Sequence, residues 1–65
     1  MPPKVREVVR RLRRDGWVEQ KGSGGDHRQF EHPTRPGKVT VAGHENEDMH
    51  PKTWASIQRQ AGWRR

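Results

Sequence analysis

Histidine is the side chain that takes or gives a proton near neutral pH, with an unperturbed pKa of about 6.5. This sequence carries four: His27, His32, His44 and His50. His27 stands where the run Gly-Ser-Gly-Gly-Asp gives way to the strand-like segment HRQFEH. A ring so placed suits attack by a ribose 2′-hydroxyl on the adjacent phosphate, a reaction that proceeds without metal. It needs a base near neutral pKa, an acid for the departing oxygen, and cations to hold the phosphate and offset developing charge. Lys21, Arg28 and Lys38 are the candidate phosphate holders. His44, after Gly43 at the end of a strand-like stretch, is a second acid/base candidate. The same ring can hydrogen-bond its own loop backbone, and that structural role is the expectation for it.

The other chemistry that four histidines suggest is metal binding. His27 and His32 would lie on opposite faces of one strand, and no compact pair such as H-x₃-H occurs, so no metal site is expected. His32 reads as a half-buried strand end and His50 as the entry to a helix. The glycine run at 22–25 has backbone N–H groups to offer a phosphate. A Walker-type G-x₄-G-K-[S/T] is absent, so nucleotide triphosphate binding finds no support and no cofactor is expected. The plainer reading of that run is a hairpin connection, and an exposed histidine near a turn is ordinarily a surface residue.

The elements that would position these groups are legible from periodicity. Val5, Val8, Val9 and Leu12 recur at i, i+3, i+4 and i+7, the apolar stripe of an amphipathic helix. Pro3 suits its first turn, and Asp15-Gly16 ends it. Arg10, Arg11, Arg13 and Arg14 crowd its last turns, either as a solvated face or as an RNA-contacting one. Three strands are expected next: WVEQK (residues 17–21), HRQFEH (27–32) and KVTVA (38–42). In the first, either Trp17 or Val18 can face inward. Residues 22–26 and 33–37 are short turn-rich connections, which favour an antiparallel meander. GHENEDMH (43–50) reads as a polar, acidic loop needing no regular structure. Pro51 opens a second helix with Trp54, Ile57 and Ala61 inward. Gly62 terminates it, and Trp63 is placed to fold back against Ile57. The fold expected is α+β, in the order α-β-β-β-α: a three-stranded antiparallel sheet with two helices on one face.

Strand alternation then assigns faces. If Phe30 points at the helices, His27, Gln29 and Glu31 point to the open side of the sheet. Val39 and Val41 inward place Lys38, Thr40 and Ala42 outward. The open face gathers an imidazole, an amide, a carboxylate, an ammonium and a hydroxyl.

Composition bounds the class. With 65 residues, 26% of them hydrophobic, one small and marginal domain is expected over 1–65. The absence of cysteine makes the cytoplasm the better expectation, and neither a signal peptide nor a span is legible. A formal net charge of +6 and a pI near 11.2 suit a polyanion partner.

Three segments in order carry a family likeness: GGDHRQFEHP, VTVAGH and TWASIQRQAGW, with VREVVRRLRRDGW before them. Together they resemble the HicA-family toxins, small ribonucleases (mRNA interferases) of bacterial toxin–antitoxin pairs, and the likeness spans nearly the whole chain. The resemblance implies a fold like that of the double-stranded RNA-binding domain, and His27 as the catalytic histidine of an endoribonuclease cleaving single-stranded mRNA. It also implies a HicB-type antitoxin that covers the site. Three departures stand out. Asp26 precedes the histidine where Ser, Gly or Asn is usual; a carboxylate there favours a protonated ring and repels phosphate. Ala42 replaces the proline usual before the second histidine. Trp54 and Trp63 stand where leucine is common, and Gln58 where a second apolar residue is common.

Two other readings compete with the enzyme. One is an RNA-binding module of the same shape without turnover, which would be expected to present several lysines at the second helix N-terminus, where only Lys52 stands. The other is a non-catalytic protein that only pairs with an antitoxin.

Overall fold

The computed structural model describes residues 2–21 and 27–63. Its elements run α1 (Val5–Arg14), β1 (Val18–Glu19), β2 (His27–Glu31), β3 (Lys38–Ala42) and α2 (Pro51–Gln60). The strands form one antiparallel sheet in the order β1-β2-β3, so the fold is α+β with the expected α-β-β-β-α order.

In α1, Val5, Val8, Val9 and Leu12 are all buried, as the period of the stripe requires. Pro3 does not occupy the first turn. The helix starts at Val5 with Lys4 as N-cap, and the Pro3 carbonyl accepts the Met49 N–H at 2.8 Å. The first amides of a helix lack partners of their own. Here Val5 N–H donates to the Glu47 carbonyl (2.9 Å) and Arg6 N–H to the Glu45 carbonyl (3.1 Å). The acidic 43–50 segment therefore caps α1, and its Met49 belongs to the core. Neither duty is visible in its polar composition.

At the other end Gly16 adopts φ +95°. Its N–H reaches the Arg13 carbonyl (3.1 Å) and the Trp17 N–H the Leu12 carbonyl (2.9 Å), a Schellman ending whose apolar contact is Trp17 with Leu12. This consumes Trp17, so β1 is shorter than the expected 17–21. Only Val18–Glu19 is ladder, extended by one bond from Gln20 N–H to the Gln29 carbonyl at 2.8 Å. The same ending settles which residue faces inward: Trp17 is buried, while Val18 is 55% exposed.

β2 and β3 pair without a bulge: His27↔Ala42, Arg28↔Val41, Gln29↔Thr40, Phe30↔Val39 and Glu31↔Lys38. Phe30, Val39 and Val41 are fully buried in one cluster with the α1 stripe, Ile57 and Ala61, so both helices cover the same face. α2 begins with His50 as N-cap, its Nδ1 accepting the Lys52 N–H at 3.2 Å. It ends like α1, with Gly62 at φ +78° and the Trp63 N–H donating to the Gln58 carbonyl at 2.8 Å. Trp63 folds back onto the core, and its ring joins the two helix ends. It lies 6.2 Å from Trp54, beneath the Arg11 guanidinium at 4.0 Å, and its Nε1–H donates to the Asp15 carboxylate at 2.7 Å.

Candidate functional site

The uncovered face of the sheet is built by register. Val18 pairs with Glu31, and β2 pairs with β3 as above, so Val18, His27, Gln29, Glu31, Lys38, Thr40 and Ala42 share the side away from the helices. His27 is exposed there at the first position of β2, opposite the small side chain of Ala42. The Thr40 N–H leaves the sheet toward Gln60 Oε1 (3.4 Å), and the Gln29 carbonyl serves β1. The pairs His27↔Ala42, Gln29↔Thr40 and Glu31↔Lys38 are thus the non-hydrogen-bonded kind, in which side chains stand closest. An imidazole with alanine as its closest cross-strand neighbour keeps its ring open to an incoming ligand.

Sharing a face does not put the expected group together. Lys38 sits opposite Glu31, four residue steps from His27, about 13 Å at the usual strand rise. Its ammonium is 3.7 Å from Glu31 Oε2. It belongs to the far end of the sheet, away from a phosphate presented to His27. Lys21 follows β1 and is exposed at the His27 end. Arg28 lies on the helix side with Phe30, its side chain 24% exposed, and pairs with Glu45 at 3.1 Å. That carboxylate competes with a phosphate for the Arg28 guanidinium. It went unnoticed in the sequence because the contact joins residues far apart in the chain.

His44 comes two residues after Ala42, which brings it to the same end of the sheet as His27. Its backbone N–H donates to Glu47 Oε1 at 2.9 Å, holding the turn. Its ring is largely solvent-facing, with Nε2 at 3.9 Å from the same oxygen. The loop-holding role expected of this residue thus falls in part to its backbone. His32 is structural: Nε2 is 3.0 Å from the Asp15 carbonyl, Nδ1 accepts the Thr34 N–H at 3.1 Å, and the ring meets Trp17 edge-on at 5.2 Å. Asp26 and the glycine run, with the phosphate cradle considered for it, lie outside the described residues. Among the described residues no three His, Asp or Glu side chains converge in a way that would hold a metal ion.

The family model described as HicA toxin of bacterial toxin-antitoxin matches residues 5–63. No curated protein matches the sequence. Among solved structures, a chain of a toxin–antitoxin complex from Streptococcus pneumoniae is similar, with a TM-score of 0.72 and 26% identity. The match covers 94% of this chain and 98% of that one. No helix among the described residues is long and apolar enough to cross a membrane.

Proposed function

The chain belongs to the HicA family of toxins from bacterial toxin–antitoxin systems, and from that premise we propose that it is an endoribonuclease cleaving single-stranded mRNA, with His27 as catalytic acid/base. The observation that carries this reading is the position of His27. It opens β2 on the one face of the sheet that no helix covers, with Ala42 opposite.

The chemistry follows from that position. The His27 imidazole takes the proton of a ribose 2′-hydroxyl as O2′ bonds to phosphorus, or gives a proton to O5′ as the P–O5′ bond breaks. The products are a 2′,3′-cyclic phosphate and a 5′-hydroxyl. His44, at the same end of the sheet, supplies the opposite proton transfer. Lys21 and Arg28 hold the phosphate, Arg28 once its guanidinium leaves Glu45. The mechanism asks for no metal. A HicB-type antitoxin inhibits by covering the His27 face, and the toxin–antitoxin assembly of the structural neighbour supports such a partner. A net charge of +6 draws an acidic antitoxin and RNA alike.

Induced expression of wild type and of His27→Ala tests the reading. Growth arrest with transcript decay is expected from wild type alone, with the variant melting at the same temperature because position 27 is exposed. Equal arrest by both would remove His27 from the mechanism. Cleavage by purified protein is expected to persist in chelator, and its loss there would replace this mechanism with a metal-dependent one.

A further inference from the structure

We propose that the groove between α1 and α2 is a second binding surface for single-stranded RNA, gripping the strand beyond the linkage presented to His27; this deepens the proposed activity and rests on RNA being the ligand. Helix α1 carries five arginines: Arg6, Arg10, Arg11, Arg13 and Arg14. Three are engaged. Arg13 pairs with Glu19 at 3.2 Å, Arg11 lies over Trp63, and Arg6 donates to Asn46 Oδ1 at 3.4 Å. Arg10 and Arg14 are exposed and make no ion pair or hydrogen bond among the described residues.

Like charges one helical turn apart repel, so Arg6, Arg10 and Arg14 in succession weaken the helix that bears them unless an anion lies across them. The Cβ atoms of Arg10 and Arg14 stand roughly 5–6 Å apart on one side of the helix, on the order of one nucleotide step along an extended strand. Both arginines line an open groove of about 430 Å³ whose other wall is Trp54 of α2. A second groove of about 300 Å³ shares Arg10 and runs past Arg6 and Arg13 to Glu45. Glu45 holds Arg28, the residue next to His27. The guanidinium groups therefore form a track from the His27 end of the sheet, over α1, to Trp54.

Guanidinium groups beside an indole are the pairing that grips a single strand, phosphates on the cations and a base on the ring. A protein helix would need a row of apolar anchors; here Trp54 and Pro3 stand among three arginines and Glu7, a lining more charged than apolar.

The test is binding of 2′-O-methyl RNA, whose blocked nucleophile removes cleavage from the measurement. Fluorescence anisotropy across a salt series compares wild type with Arg10→Gln/Arg14→Gln. An oligomer of roughly 20 nucleotides exceeds the footprint of a small single-strand-binding fold, and one of about four nucleotides does not. For the long oligomer the double variant is expected to bind about tenfold more weakly. Its plot of log K against log salt should be shallower by about 1.4, or 0.7 for each lost phosphate contact. The short oligomer should bind both proteins alike, and Arg10→Lys/Arg14→Lys should restore the slope. Unchanged affinity and slope for the long oligomer would overturn the proposal. Equal loss for both lengths would also overturn it, by showing diffuse charge in place of a track. So would loss of a polyglutamate peptide with RNA binding intact, which would assign the groove to a protein partner. Arrest by His27→Ala would defeat the catalytic reading while leaving this result standing.

Discussion

Position 27 sets an imidazole opposite the small side chain of Ala42, and the chemistry at this scale depends on what else stands near it. Arg28 is turned to the helix side and held by Glu45, so the cation nearest in sequence is partly neutralised until that carboxylate is displaced. Because the pair is partly exposed, its removal should change stability by less than about 1 kcal/mol. Glu45→Gln is therefore expected to leave the melting temperature nearly unchanged and to tighten RNA binding, read by anisotropy; weaker binding would mean that Glu45 positions Arg28 for the phosphate. His44 gives a sharper test. Its side chain is 73% exposed, so His44→Gln should change thermal stability by less than about 1 kcal/mol. If it is the opposite acid or base, the cleavage rate should fall by about 10²-fold or more. A rate within a factor of two of wild type would leave His27 without this partner.

At the scale of elements, both helices close on a glycine in the left-handed region, and each closure does further work. Gly16 at φ +95° lets His32 approach so closely that a Cβ there would lie 2.9 Å from its Nε2. Gly16→Ala combines that clash with a left-handed alanine, worth about 1–2 kcal/mol by itself. In a domain this size each kcal/mol lowers Tm by roughly 4–8 °C. An unchanged Tm would show that neither the turn nor the His32 contact constrains this end of α1. At α2, the Gly62 turn brings Arg35 within 2.8 Å of the Ala61 carbonyl, where its cation caps the helix end. Short elements of ten residues or fewer depend on such endings, because propensity alone does not hold a ten-residue helix.

At the scale of the whole molecule the core is thin: among the described residues eleven buried apolar side chains form one cluster. Met49 is among them although it sits in an acidic loop, and it ties that loop to the core. Met49→Ala should cost about 2–5 kcal/mol, a large share of the stability a domain of this size has. Chemical denaturation should show the midpoint drop, with the loss of α1 capping following from release of the Glu45 and Glu47 carbonyls. A midpoint within error of wild type would place Met49 outside the cooperative core.

The amphipathic stripe, the strand order, the glycine stops and the face that carries His27 followed from local sequence alone, because helical and strand periodicity are set by neighbours a few residues apart. The likeness to the toxin family rested on the same short segments. What the tertiary structure decided lies between residues distant in the chain. Register put Lys38 at the end of the sheet far from His27 and His44 at the near one. Chain reversal set Glu45 on Arg28, and the 43–50 carbonyls on the amides of α1. Packing of one helix beside the other made a groove of Arg10, Arg14 and Trp54. Pattern along a chain specifies which way a side chain points; only closure of the fold specifies what it meets there.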